Sequence, residues 1–217
     1  MDIILALTKE LNVEKWQIEA AVKLIDEGNT IPFISRYRKE VTGALNDEVL
    51  RNLNDRLTYL RNLEEKKTQV LSSIEEQGKL TEELKKQILE AQTLVVVEDL
   101  YRPYRPKRRT RATIAKEKGL EPLANIILLQ MTDKSLEEEA KAFVSEEKEV
   151  TTVEAAISGA KDIVAESISD KADYRSEIRE RTFRKGMLVS TAKKPEETSV
   201  YEKYYEYEER VEKMPGH

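Results

Sequence analysis

The 217-residue chain is 36% charged and 39% hydrophobic and has only seven glycines and six prolines, a composition that favours an all-α protein and excludes collagen-like, glycine-rich and most many-turned β architectures. Its net charge is −5, which by itself argues against a general nucleic-acid binder. Cysteine is absent and the single histidine is the last residue, so disulfides, His/Cys zinc sites and catalysis by an internal imidazole are excluded.

Apolar periodicity predicts helices from the start of the chain. Residues 1–31 read as two helices, with Asn12 as the N-cap of the second and Trp16 on its apolar, buried face. Pro32 then opens a short segment that is expected to end near Gly43. The first part of the chain is therefore predicted to be entirely helical.

A long helix is predicted to begin at Asn46 or Asp47 and to run to about Gln77. Its leucines recur at alternating spacings of three and four residues, a pattern that indicates packing along another helix at a shallow angle. Glu64 and Lys67 interrupt this pattern in the middle of the helix.

Residues 93–101 are apolar and β-branched, and periodicity alone does not separate a buried strand from a helix here. We assign a helix because no hairpin partner follows nearby. Pro103 and Pro106 then block regular structure, and Thr110 or Thr113 is expected to cap the next helix.

A second long helix is predicted from Thr152 to about Phe183, as the antiparallel partner of residues 47–77. After Gly186, residues 187–191 form a weak strand candidate. The fold class expected from these patterns is all-α, a multi-helix bundle with two long antiparallel helices.

Positive charge is concentrated in residues 102–118, the basic segment, which holds eight bases and one acid for a net charge of +7. Arginine forks suit phosphate groups, and neighbouring tyrosine rings can stack on exposed bases. The candidate nucleic-acid contacts in this segment are Tyr104, Arg105, Lys107, Arg108, Arg109 and Arg111. The alternative, of about equal weight, is that these cations pair with the protein's own acidic helices or dock a neighbouring domain.

A second basic and aromatic cluster comprises Arg36, Tyr37, Arg38 and Lys39. Four consecutive helical residues cannot share one face, so we expect Tyr37 to point inward. Structural packing is the favoured interpretation, with Arg36, Arg38 and Lys39 as further candidate contacts to nucleic acid.

No pattern of catalysis is found in the sequence. The consecutive carboxylates Glu137–Glu139 and Glu146–Glu147 would fan around a helix axis instead of converging on a metal or substrate. Walker, Rossmann and nucleophile-elbow motifs are missing. We therefore expect no enzyme activity, cofactor or metal. No stretch approaches the roughly 20 apolar residues of a membrane span, so a cytoplasmic protein without a membrane partner is expected.

Two segments resemble a known family. They read IPFISRYRKEVTGALND at residues 31–47 and EDLYRPYRPKRRTRATIAKEKGLEPLA at residues 98–124. Both are similar to the N-terminal region of the Tex family of bacterial transcription accessory proteins. The resemblance implies a helical region with a helix-turn-helix-like subdomain, followed in the family by a YqgF-type, RNase H-like domain, helix-hairpin-helix elements and an S1 domain.

The resemblance also suggests a division of the chain and a function. Residues 1–186 would be the helical region and residues 187–217 the start of the connection to the RNase H-like domain, so we expect a monomeric N-terminal piece of a longer protein. It would contribute a basic surface for RNA or DNA in transcription. The alternative is a scaffold that docks downstream domains or RNA polymerase without binding nucleic acid. A nuclease activity ranks last, because the RNase H-like region is not in these residues.

Overall fold

The computed structural model describes residues 2–215, which are mostly helical and divide between Tyr101 and Arg102 into two compact units. The first unit comprises α1 (Ile3–Leu11), α2 (Lys15–Asp26), α3 (Ile31–Tyr37), α4 (Asp47–Glu76), α5 (Glu82–Glu90) and α6 (Leu94–Tyr101). The second comprises α7 (Arg111–Glu117), α8 (Glu121–Leu129), α9 (Leu136–Lys141), α10 (Val153–Ser169), α11 (Ala172–Lys185), β1 (Met187–Thr191) and β2 (Glu206–Arg210).

The long helix α4 organises the first unit, because α1, α2, α3, α5 and α6 all contact it. Asn46 is its N-cap, accepting a hydrogen bond from the Val49 backbone N–H at 2.8 Å, as the sequence predicts. The apolar side chains that α4 buries recur every three or four residues: Leu50, Leu53, Leu57, Leu60, Leu63, Val70 and Ile74. This stripe is the core of the unit.

Lys67 does not interrupt the stripe, contrary to the sequence prediction. Its side chain is 1% exposed and fills the place of an apolar residue between Leu63 and Val70. The ammonium Nζ donates to Glu64 Oε1 at 2.8 Å and to the Leu89 carbonyl oxygen at 2.9 Å. A lysine is accommodated here because its ammonium group donates two hydrogen bonds while its methylene stem packs in the core.

Removing this ammonium should therefore destabilise the first unit. Lys67→Met keeps the length of the stem but removes the donor to the Leu89 carbonyl oxygen and one of the donors to Glu64, for an expected loss of about 1–3 kcal/mol. Chemical denaturation followed by circular dichroism measures it. Lys85→Met, on the exposed face of α5, is the matched control. Equal midpoints for the two variants would contradict the role given to Lys67.

Two ion pairs attach α1 and α2 to α4. Arg56 Nη2 lies 2.9 Å from Glu10 Oε1, and Arg61 Nη1 and Nη2 lie 2.7 and 2.8 Å from the two carboxylate oxygens of Asp26. The hydrogen bonds from these arginines hold the pKa of Glu10 and the pKa of Asp26 below their usual values of 4.5 and 3.8. Both pairs are half-exposed, so their contribution to stability is modest.

The lowered pKa values predict a pH dependence of stability. The contribution of both pairs is complete above the usual carboxyl pKa values and is lost as pH falls through the lower pKa values of the folded state. We expect the free energy of unfolding to decrease below about pH 4.5, by about 1 kcal/mol or less for the two pairs together, and chemical denaturation at a series of pH values measures it. The double variant Glu10→Gln, Asp26→Asn should lose less stability on acidification than the wild type. Identical pH profiles would contradict the assignment.

Two details of α2 differ from the sequence prediction. Asn12 does not cap α2 but ends α1 in a left-handed conformation, with φ of 51°. The N-cap of α2 is Glu14, whose backbone N–H donates to Gln17 Oε1 at 3.3 Å. Trp16 is 53% exposed instead of buried, because Ile18 and Val22 provide the inward face of the helix.

The second unit has its own core, formed by α7, α8, α9 and α10. Short side chains allow the helices to approach closely: Ala112, Ala115, Ala156 and Ala160 are all buried. Gly159 belongs to this set, since a Cβ atom there would lie 2.5 Å from Leu120 Cδ1. Thr110, an expected cap, and Thr152, an expected helix start, are confirmed as the N-caps of α7 and α10, and Ser135 is the N-cap of α9.

The second long helix predicted from Thr152 to Phe183 is wrong. The backbone is still helical at Asp170 but extended at Lys171, with ψ of 117°, so that α10 and α11 are separate helices. The apolar repeat ends at Ile168, and α11 buries none of its residues. The predicted pair of long helices therefore lacks its second member, and within the second unit α10 packs on α7, α8 and α9.

The strand predicted at residues 187–191 is confirmed. This strand, β1, pairs antiparallel with β2, with Met187 opposite Arg210 and Thr191 opposite Glu206. The regular secondary structure of the described part of the chain is thus helical apart from this two-stranded sheet and one isolated bridge between Ser145 and Val150. Among its helices, none combines the length and the apolarity needed to cross a lipid bilayer.

Candidate nucleic-acid interface

The basic segment begins as a turn and an extended stretch before it enters α7. Residues 102–105 form the turn, residues 106–110 have no regular structure, and α7 begins at Arg111. The Thr110 hydroxyl accepts a hydrogen bond from the Thr113 backbone N–H at 3.1 Å and thereby ends the irregular stretch. Prolines at 103 and 106 remove two backbone donors, so side chains must hold this path.

Three carboxylates on α10 supply that support. Asp162, Glu166 and Asp170 are spaced by four residues and therefore lie along one face of the helix, the acidic face of α10. Their side chains are only 25%, 23% and 13% exposed. Because they are enclosed by the basic segment, they act as its anchors.

The basic segment follows the acidic face in the opposite direction. Arg102 Nε lies 3.1 Å from Asp170 Oδ1, and Lys107 pairs with both Asp170 and Glu166. Thr110 Oγ1 donates to Glu166 Oε1 at 3.1 Å. Arg111 Nη2 lies 3.4 Å from Asp162 Oδ1. Lys107 is the least exposed of these three cations, at 29%, and it pairs with two carboxylates of the protein itself.

Other cations of the segment face solvent. Arg109 is 68% exposed and pairs with Glu117 at 2.7 Å, while Arg111 remains 86% exposed in spite of its contact with Asp162. Arg108 is exposed and makes no ion pair within residues 2–215. Tyr104 is half-buried and Arg105 is exposed, and both contact other residues. Among the predicted contacts, Lys107 is thus anchored on α10. Arg108, Arg109 and Arg111 face solvent and form the outward row of the basic segment.

This division supports both hypotheses for the basic segment in part. Ion pairs at an exposed surface contribute about 0–1 kcal/mol each, so a polyphosphate can compete for the outward guanidinium groups. Lys107, by contrast, would have to leave two carboxylates to contact phosphate. The acidic face of α10 escaped the sequence analysis, although the four-residue spacing of its carboxylates was visible in the sequence.

The cluster at the end of α3 is arranged differently from the prediction. Tyr37 is 62% exposed instead of pointing inward, because Ile34 alone is buried on this short helix. Its ring lies 5.4 Å from that of Phe33, and the Arg38 guanidinium sits 5.1 Å from the Phe33 ring centre. Within residues 2–215, no carboxylate pairs with Arg36, Arg38 or Lys39.

A metal site of ordinary composition is not found in the described residues, where no three His, Asp or Glu side chains converge. The cleft between α7, α10 and residues 149–150 has mixed charge, with Arg111 and Lys118 facing Asp162 and Glu149. Lys118 donates to the Glu149 carbonyl oxygen at 3.0 Å. The chemistry that both basic surfaces can perform is electrostatic binding of an anion.

Comparison with known proteins identifies the family. Residues 1–75 match the Tex-like protein N-terminal domain, and residues 132–217 match the Tex central region-like family. The chain belongs to the Tex-like family. The family resemblance found in the sequence is thereby confirmed, and residues 31–47 lie within the first matched range.

Relatives of the chain occur in bacteria and animals. The Tex-like chain is 47% identical to protein YdcI of Bacillus subtilis (strain 168), over 97% of its own length and 30% of that protein. It is 42% identical to the transcriptional accessory protein Tex of Neisseria gonorrhoeae, over 100% of its own length and 28% of that protein. The human S1 RNA-binding domain-containing protein 1 is 29% identical over 88% of the chain and 19% of that protein. The Tex-like chain thus spans less than a third of each relative.

Neutralising the anchors should strengthen the positive field of the basic segment. Glu166→Gln with Asp170→Asn leaves Arg102 and Lys107 without compensating charge, and we expect affinity for duplex DNA at low salt to rise about threefold to tenfold. Fluorescence anisotropy measures this. Glu137→Gln with Glu154→Gln changes the net charge equally at exposed sites elsewhere in the second unit. An equal rise in both double variants would mean that net charge, and not local pairing, controls binding.

Proposed function

We propose that this chain is the N-terminal helical module of a Tex-like transcription accessory protein and that it contributes a basic surface to the binding of RNA or DNA during transcription. The outward row of the basic segment would contact phosphate groups. The role is one of binding, without catalysis, cofactor or metal. RNA polymerase as a partner, the monomeric state and a helix-turn-helix-like subdomain belong to the same proposal, as implications of the family.

One observation supports the proposal above all. Arg108, Arg109 and Arg111 project from a segment that is held in place by other side chains, so their guanidinium groups are concentrated on the surface without the segment being disordered. Such an arrangement binds phosphate at low entropic cost. The names of the relatives agree with it, since one is a transcriptional accessory protein and another carries an S1 RNA-binding domain.

A second candidate function is a helical scaffold without nucleic-acid binding of its own. The observation that favours it is the anchoring of Arg102, Lys107 and Arg111 on the acidic face of α10, because these cations already have carboxylate partners. In this alternative the remaining cations would dock downstream domains or RNA polymerase. The two candidates differ in what the isolated chain binds.

Salt dependence of binding separates them. If Arg105, Lys107, Arg108, Arg109 and Arg111 all neutralise duplex phosphates, the slope of log affinity against log salt is roughly −4 to −5. If the anchored Lys107 takes no part, the slope is closer to −3.5. The triple variant Arg108→Ala, Arg109→Ala, Arg111→Ala should make the slope shallower by about 2.7. Fluorescence anisotropy with a labelled duplex gives each slope.

The matched control is Lys79→Ala, Lys85→Ala, Lys86→Ala, which removes three exposed cations from the first unit. This variant should keep the wild-type slope. A wild-type chain that fails to bind at low salt, or a triple arginine variant with an unchanged slope, would remove the basic segment as a nucleic-acid contact and favour the scaffold.

A further inference from the structure

The first unit exposes two large aromatic side chains that neither its core nor the proposed phosphate contacts use. Trp16 is 53% and Tyr37 is 62% exposed, and they are the only aromatic residues among the exposed large hydrophobic side chains of residues 2–101. Both adjoin the same loop, residues 38–45, which follows α3. Val41 of that loop is also exposed.

This surface is rigidly built. Gly43 adopts a left-handed conformation with φ of 63°, and a Cβ atom there would lie 2.5 Å from Trp16 Cη2, so the indole rests directly on the loop backbone. Gln17 Nε2 donates to the carbonyl oxygens of Thr42 and Gly43 at 3.2 and 3.0 Å. Thr42 itself is fully buried. The loop and the indole are therefore held together by α2.

Three cations adjoin Tyr37 in the sequence, and no carboxylate of the described residues pairs with them. Within the described residues, Arg36, Arg38 and Lys39 have no carboxylate partner, in contrast to the basic segment, where most cations are paired. Arg38 is oriented by donating to the Tyr37 carbonyl oxygen at 3.0 Å and by lying over the Phe33 ring. Glu40 is the one acid among residues 36–40.

We propose that Trp16 and Tyr37 form a stacking site for the bases of a single-stranded nucleic acid, with Arg36, Arg38 and Lys39 as its phosphate contacts. The inference rests on the proposed function and adds to it a second site, in the first unit. Exposed rings next to uncompensated cations are the combination that binds single strands, because every base offers a π-face and every nucleotide a phosphate. A duplex keeps its bases stacked inside and would use only the cations.

An acidic polypeptide is the competing occupant, since it also complements the cations. It offers no planar rings to Trp16 and Tyr37, so the two occupants predict different behaviour of the aromatic residues. Trp16 is the only tryptophan of the chain and therefore reports on the site directly through its fluorescence.

The test is a fluorescence titration of the 217-residue chain at low salt with oligothymidylate of about 12 nucleotides, a length within the range of known single-strand sites. We expect saturable quenching of Trp16, as stacking on a base produces. Polyglutamate of similar length should cause no quenching. Quenching by both polymers, or by neither, would overturn the proposal.

Variants at Tyr37 then test the stacking itself. Tyr37→Ala should weaken binding at least about fivefold, whereas Tyr37→Phe keeps a ring and should remain within about twofold of the wild type. The matched control is Tyr201→Ala, which removes an equally exposed tyrosine from the second unit. Circular dichroism establishes that each variant is folded. Equal affinities for Tyr37→Ala and Tyr201→Ala would overturn the stacking site.

The cation contacts and the proposed function are separated in the same assay. Arg36→Ala with Lys39→Ala should make the salt slope for the single strand shallower by about 1.4. If the triple arginine variant of the basic segment leaves binding unchanged while Tyr37→Ala weakens it, the basic segment fails and this site stands. The reverse result overturns this site and leaves the basic segment, and a chain that binds no nucleic acid overturns both.

Discussion

Pairing between the basic segment and the acidic face of α10 is the interaction on which the conformation of the basic segment depends. A stretch with two prolines and no regular structure lacks the backbone hydrogen bonds that would hold it in one conformation. Asp162, Glu166 and Asp170 supply the missing contacts through their side chains. The same carboxylates neutralise part of the positive charge that they hold in place. Each ion pair therefore orders the basic segment and lowers its positive potential.

The sequence predicted local structure well where the determinants are local. Asn46 and Thr110 cap helices because each side chain reaches a backbone N–H three residues on, a relation that can be read from neighbouring residues. The helix at residues 94–101 and the strand at 187–191 were also predicted. The break at Lys171 was not predicted, and neither were the ion pairs of Asp170, whose partners Arg102 and Lys107 lie more than sixty positions earlier in the chain.

At the candidate sites, too, contacts between residues distant in sequence could not be predicted. Charge and aromatic content identified both basic clusters, but which cations have acidic partners depends on contacts distant in sequence. The basic segment, the stronger candidate by composition, is partly neutralised by α10, while no carboxylate among residues 2–215 pairs with Arg36, Arg38 or Lys39. Trp16 and Tyr37 were assigned to the core from helical spacing, yet Ile18 and Ile34 occupy those inward positions. Periodicity finds an apolar face but does not exclude an apolar residue beside it from facing water.

The enclosure of Lys67 has a chemical consequence beyond its place in the core of the first unit. Its amine is shielded by α5 and held by the Leu89 carbonyl oxygen, whereas the neighbouring lysines of α5, Lys85 and Lys86, are open to solvent. Acylating reagents, and enzymes that acetylate lysines, reach this nitrogen only when α5 detaches from α4. The modification rate of one side chain thus records how often that pair of helices separates.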